Sequence, residues 1–316
     1  MRAKIYGCRG SSALCLRMAA LSSKFERMFV MTKKDLLNLV IKFTEALAHN
    51  NPSNVPMNAS CKATYQGIVT PLGEGAIWGS PRRIPYRQTF VDPITKTAIF
   101  SGVVTNHISS RALPPEMVPL AWTKQRWWIY LVRIKADDSG AICEIEEIAR
   151  EDTAAAMTVS PSQMEPPRIL ECPIAQEDRS TREEMIRIAS LYWDGAHKLV
   201  DPAQVPFHPD AFRVEIGVRF SDSFDMPYSV RTQNDIPELQ WDVVKRRFPV
   251  VDVSTGIVIS MVHMLGNPTG YVTDIFKIEC GMIKYVYAFH DWYIDQIDWE
   301  GEGPQSTAEL DAAGQV

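Results

Sequence analysis

The sequence predicts an α+β protein built from two tandem copies of one domain, each a helix followed by a strongly bent antiparallel sheet that ends in a long hairpin. Three observations predict it. One pattern runs from about Thr32 to Thr153 and returns from about Thr181 to Asp295. Each copy opens with apolar residues at helical spacing and then switches to the period of two that marks strands. Each closes with two alternating runs joined at a glycine, the signature of a hairpin.

The copies align block by block. Thr32-Lys-Lys-Asp opens the first and Thr181-Arg-Glu-Glu the second. Val55 to Gly67 lies against Val205 to Gly217 without a gap, pairing Tyr65 with Glu215. Phe90-Val-Asp-Pro-Ile-Thr matches Val250-Val-Asp-Val-Ser-Thr, pairing Asp92 with Asp252 and Thr95 with Thr255. A period this long means two whole domains, not a solenoid array.

The opening helices carry capping signals. Thr32 with Asp35 and Thr181 with Glu184 have the spacing of a capping box. Leu36, Leu37, Val40, Phe43 and Leu47 form one apolar face, and Met185, Ile188, Ala189, Tyr192 and Trp193 repeat it. Asn51-Pro52 and Asp201-Pro202 end the helices, because proline lacks a donor and biases its predecessor away from helix. Strand alternation follows in Phe212 to Phe220, Ile257 to Met264 and Met282 to Phe289, with turns at Gly140 and Gly281. Residues 70–85 and 221–237 read as loops over a cavity, with a plain surface loop as the equal alternative.

The domain limits follow. Residues 1–31 form a basic N-terminal extension, 32–153 the first domain, 154–180 a proline-rich linker, 181–299 the second domain, and 300–316 an acidic tail expected to be disordered. In the extension six Lys and Arg face the single acid Glu26, the composition of an organellar transit peptide; a mis-assigned start before Met28 or Met31 is the equal alternative. The expected location is cytoplasmic, or organellar if the extension is a transit peptide.

Composition narrows the function classes. A 46% hydrophobic chain of 316 residues fills two ordinary cores, and a net charge of −5 gives no basic face for nucleic acid. No run of apolar residues is long enough to span a membrane. Six cysteines without CxxC spacing read as free thiols of a reducing compartment, and no metal site is expected. No GxSxG, Walker, HExxH or Rossmann sequence occurs, so no cofactor is expected either.

Two blocks of the second copy carry a family resemblance: Arg247-Phe-Pro-Val-Val-Asp-Val-Ser-Thr-Gly-Ile-Val, and Asp274-Ile-Phe-Lys-Ile-Glu-Cys-Gly-Met-Ile-Lys-Tyr-Val. They resemble the closing half of the nuclear-transport-factor-2-like superfamily, which includes SnoaL-type proteins, ketosteroid isomerases, scytalone dehydratase and limonene-epoxide hydrolases, and are close to a mainly fungal branch of it. The first copy departs from that pattern at Pro93, Lys96 and the acidic strand Glu144-Ile-Glu-Glu. The resemblance implies cone-shaped α+β barrels, each sheet wrapped around its helix with a pocket at the open end. It further implies back-to-back sheets, here as an intramolecular pseudo-dimer.

Such cones place catalytic side chains on scattered strands, so strand phase nominates them. His263, Asp274 and Tyr287 stand among apolar neighbours, where desolvation disfavours charge and tunes weak acids and bases. They are the catalytic candidates: base, carboxylate and phenolic donor. A hydrogen-bonded structural histidine, a wet strand edge and plain sheet packing are the competing accounts of the three. Trp193, Tyr65, Trp128, Tyr130 and Glu215 are the substrate-binding candidates, with core packing as the alternative for the aromatics. Matching positions diverge between copies: Val103 with His263, Tyr130 with Asp274, and Glu146 with Tyr287. Two unequal cavities are the expected result: a chemical pocket in the second copy and a supporting or differently specific one in the first.

The function expected from the resemblance and these residues is a cofactor-independent lyase or isomerase acting on a hydrophobic terpenoid, polyketide or aromatic metabolite. The alternative is a non-catalytic small-molecule-binding or protein-interaction module. A hydrophobic small molecule is the expected partner, without nucleic acid or membrane, and a homo-oligomer remains open.

Overall fold

A computed structural model describes residues 30–80, 82–106, 126–151, 163–221, 241–266 and 268–314. Nearly all of the basic extension, His107, the first part of the linker and most of the 221–237 loop lie outside the described residues.

Helix α1 (Lys33–Ala48) starts where the sequence signals it. Thr32 Oγ1 accepts from the Asp35 amide and the Asp35 carboxylate accepts from the Thr32 amide at 3.0 Å, a closed capping box. The first sheet contains β1 (Met57–Tyr65), β2 (Ile68–Val69), β3 (Arg83–Asp92), β4 (Thr97–Thr105), β5 (Trp127–Ala136) and β6 (Ile142–Glu151), in the order β2-β1-β6-β5-β4-β3. Helix α2 (Arg182–Ala196), capped by Thr181, opens the second half. Its sheet contains β7 (Phe207–Glu215), β8 (Val218–Ser221), β9 (Trp241–Asp252), β10 (Ile257–Gly266), β11 (Gly270–Glu279) and β12 (Met282–Trp292), in the same order, β8-β7-β12-β11-β10-β9.

The sheets are mixed rather than antiparallel as expected: β1 pairs with β6, and β7 with β12, in parallel. A parallel pair needs a long crossover, and the intervening strands of each half supply it. Matching turns adopt matching backbones. Gln66 and Gly67 have φ of 53° and 82°, and Ile216 and Gly217 have 45° and 81°. Cys280 and Gly281, at 53° and 71°, form the two-residue hairpin turn between β11 and β12.

Three apolar clusters explain why strands are buried on both faces. α1 packs on one face of the first sheet around Phe43, Phe100, Trp128 and Tyr130. α2 packs on the second around Tyr192, Trp193, Val258 and Phe276. The third cluster joins the opposite faces of the two sheets, with Phe90, Ile99 and Leu131 against Val250, Ile259, Ile275 and Tyr287. Two reciprocal ion pairs flank it. Lys33, at the start of α1, reaches Asp252 at 2.8 Å, and Arg182, at the start of α2, reaches Asp92 at 2.7 Å.

One charged network is sealed in the same contact. Glu146 accepts from Arg133 Nε at 2.8 Å, from Arg247 Nη1 and Nη2 at 2.9 and 2.8 Å, and from the Tyr271 hydroxyl. Burial alone raises a carboxyl, but the two guanidinium groups outweigh it and hold Glu146 at about 2.

Residues Thr307–Ala312 form helix α3 instead of a disordered end, because Ser306 caps it and Leu310 is buried. Asp194 on α2 accepts from the Thr307 amide at 2.9 Å and from its hydroxyl, and pairs with Arg246 at 2.6 Å.

Candidate active site

The three catalytic candidates do not meet. On β10, Val258, Ser260 and Val262 face α2, so Ile259, Met261 and His263 face the other sheet. On β12, Tyr285, Tyr287 and Phe289 likewise belong to the cluster between sheets. Asp274 on β11 pairs across Ser260 and Ala288 and points into the second half's interior. His263 and Tyr287 thus lie on the opposite side of the sheet from Asp274, which removes the predicted triad. His263 Nε2 lies 2.9 Å from the Ile294 carbonyl, and burial lowers its pKa; it ties down the segment after β12. Burial pushes the Tyr287 phenol well up, as expected of a packing residue.

Asp274 has other company. Alternation on β7 puts Ala211, Arg213 and Glu215 on the inward face. Arg213 Nη2 reaches Glu215 Oε1 at 2.8 Å, and its Nη1 donates to the Tyr192 hydroxyl from α2. His290, on the inward phase of β12, places Nε2 3.5 Å from Glu215 Oε2. Five polar side chains from one helix and three strands therefore converge below Trp193, whose Nε1 donates to Ser260 Oγ at 2.9 Å.

Their electrostatics divide the two carboxylates. Burial pushes the Asp274 carboxyl up to about 7 against the pull of Arg213. Burial also raises Glu215, but Arg213 and His290 outweigh it and leave the group below its ordinary value. His290 is lowered by its own burial against the raising pull of Glu215, which favours neutral imidazole. Asp274 is completely buried, yet neither oxygen has a hydrogen-bond partner, and Arg213 Nε is buried without one as well. The Tyr192 hydroxyl lies close enough to pull the Asp274 carboxyl down somewhat, but falls short of full hydrogen-bonding geometry to either oxygen. Unfilled buried donors and acceptors are rare in folded proteins and mark places where a water or ligand group belongs.

A cavity of about 30 Å³ adjoins this cluster, lined by Tyr192, Trp193, Arg213, Glu215, His290 and the Trp241–Trp292 pair among others. Those two indoles stack at 5.7 Å with 19° between planes. The predicted binding residues Trp193 and Glu215 are thus placed together here.

Tyr65, Trp128 and Tyr130 belong to the interior of the first half. There the buried acid is Glu147, which accepts from the Tyr130 hydroxyl at 2.5 Å and from Trp78 Nε1 at 3.0 Å. Burial pushes its carboxyl up to about 7 and the nearby Tyr65 phenol up to about 12. Unlike Asp274, Glu147 is already held by protein donors. Among the described residues no group of three or more His, Cys, Asp or Glu is placed to hold a metal ion, and no helix is long and apolar enough to cross a membrane.

Residues 178–290 match the family described as Domain of unknown function (DUF8021). That stretch takes in α2 and nearly all of the second sheet. No curated protein matches the chain. Among solved structures, a de novo designed protein with a curved β-sheet is 19% identical over 35% of this chain and 88% of its own, with a TM-score of 0.29. An epoxide hydrolase of the LEH-like kind from M. tuberculosis is 14% identical over 35% of this chain and 84% of its own, also at 0.29. An NTF-2 like protein of unknown function from Burkholderia xenovorans is 13% identical over 38% and 89%, at 0.28.

Proposed function

We propose that the second half is a cofactor-independent acid–base catalyst of the lyase or isomerase type, acting on a hydrophobic small molecule by dehydration, elimination or double-bond shift. The observation that supports this most is the pair of buried carboxylates set apart in protonation around one guanidinium. Glu215, ionised beside Arg213, is the base; Asp274, raised to about 7, is the acid that is still protonated near neutrality. Arg213 holds both Glu215 and the Tyr192 hydroxyl, and Tyr192 donates to developing oxyanion character. His290, neutral and against Glu215, carries the abstracted proton onward. The two halves act as an intramolecular pseudo-dimer, supported by the reciprocal Lys33–Asp252 and Arg182–Asp92 pairs.

A cavity of about 30 Å³ is the size of one water, so an organic substrate enters by parting the stacked Trp241 and Trp292. The same small volume favours a second reading, a non-catalytic module whose interior is filled. Turnover of a panel of apolar hydroxy-ketones and allylic alcohols separates the two. The enzyme reading expects activity that falls by about 100-fold or more in Glu215→Gln and in Asp274→Asn with the fold intact. Equal turnover in wild type and both variants would reject the assigned roles.

A further inference from the structure

A second cavity lies outside both sheet interiors, between the start of α2, β9 and the C-terminal strap that carries α3. Its volume is about 250 Å³. Ile186, Phe248, Pro304 and Leu310 make its apolar wall, and Glu183 and Glu302 supply two carboxylates. We infer that this is a binding site for a small apolar primary amine, with the hydrocarbon body in the cavity and the ammonium between Glu183 and Glu302.

Three observations carry the inference. First, the walls are fixed before any ligand arrives. Gln305 exchanges two hydrogen bonds with the Arg246 backbone, at 2.7 and 3.1 Å, and Thr307 is bound to Asp194, so the strap is tied to β9 and α2 at once. A preformed cavity spares a ligand the cost of ordering its site. Second, the volume suits one ring. A closed dry apolar cavity of about 150 Å³ takes benzene; this one, about 250 Å³ and open to solvent on the side of the exposed Glu183, Glu302 and Gly303, has room for a ring with a short tether whose charged end stays at the surface. Third, the charge is one-sided. Among the described residues neither Glu183 nor Glu302 is within ion-pair distance of a cation; Arg247 acts on Glu302 only at longer range and is itself buried and paired with Glu146, and no Lys or Arg lines the cavity. An anion is disfavoured by two like charges, and a neutral body forgoes the attraction. The site shares no residue with the Asp274 cluster, so it stands or falls separately from the proposed catalysis.

The test is equilibrium binding of phenethylamine to the full chain, followed by calorimetry or by shifts of the methyl signals of Ile186 and Leu310. 2-Phenylethanol and phenylacetate serve as neutral and anionic counterparts, and N-acetyl-lysine methylamide represents a protein side chain. The expected result is saturable binding of phenethylamine, weaker by about tenfold for the alcohol and absent for the acid. The double variant Glu183→Gln/Glu302→Gln is expected to lower amine affinity about tenfold while leaving the alcohol unchanged, and Leu310→Trp to abolish both. Equal affinity for amine and alcohol, or an unchanged affinity in the double variant, overturns the inference. So does tighter binding of the lysine analogue, which would make the occupant a protein. If Leu310→Trp unfolds, the double variant, altered only at the cavity's carboxylates, still decides.

Discussion

Replacing Asp274 by Asn should make this protein more stable at alkaline pH and less stable at acid pH. The folded carboxyl titrates near 7 and the reference value is 3.8, a rise of about three units. Each unit is worth about 1.4 kcal/mol, so the fully developed penalty is about 4 kcal/mol. The sign follows from the direction of the shift. Below about pH 4 both folded and unfolded chains hold the proton and the penalty is absent; it grows as pH rises and is complete above about pH 7. Asn keeps the size of the side chain and never ionises, but its amide brings its own unpaired groups, costing about 1–2 kcal/mol. The variant is therefore expected to exceed wild type by about 2–3 kcal/mol at about pH 8 and to fall below it by about 1–2 kcal/mol at about pH 4. Urea unfolding of both proteins across that range measures the difference directly, because every other titrating group is common to the two. A difference that stays constant with pH would refute the claim that Asp274 is charged at a cost.

Other parts of the fold give independent expectations. Glu146→Gln leaves Arg133 and Arg247 buried with one negative partner fewer and should lower stability by about 3–5 kcal/mol in denaturant titration. The reciprocal pairs should be unequal: Arg182→Met, which strips buried Asp92 of its cation, should cost about 2–4 kcal/mol, whereas Lys33→Met at the exposed pair should cost about 1 kcal/mol or less. Gly281→Ala forces a side chain into φ 71° with room around the new Cβ, so about 1 kcal/mol should be lost through backbone strain alone, read as a change in midpoint without a change in m.

How far the sequence carried depends on what each residue signals. The capping residues Thr32 and Thr181 and the glycine turn at Gly281 are local, and each was legible because its partner lies within a few positions. The mixed pairing of β1 with β6 was not, since parallel and antiparallel neighbours share the same alternation. The site failed for a related reason. His263, Tyr287 and Asp274 all sit in strands buried on both faces, so phase separates two faces without saying which one meets α2 and which meets the other sheet. Only the choice of face distinguishes Asp274, in the interior, from Tyr287, one strand away in the contact between halves. Glu146 shows the converse, a divergent residue that serves the contact and no pocket. A usable signal for the missing members was the charged alternation Arg213-Val-Glu215 beside a strand that carries His290 near its end, where packing alone would place apolar side chains on the inward face. Tyr192 was visible only as part of an apolar helix face, because its hydroxyl matters only once Arg213 is beside it. In the tail, an acidic composition hides the signals of Ser306 and Leu310, which cap and bury α3.

The division of charge between Asp274 and Glu215 is the centre of the account. Selective ¹³C labelling of Asp and Glu carboxyl carbons, with resonances assigned through Asp274→Asn and Glu215→Gln, follows both groups in the intact chain. Asp274 is expected to titrate near 7 and Glu215 below its ordinary value. Titration of both carboxyls together in the ordinary range, or Glu215 above Asp274, would contradict it.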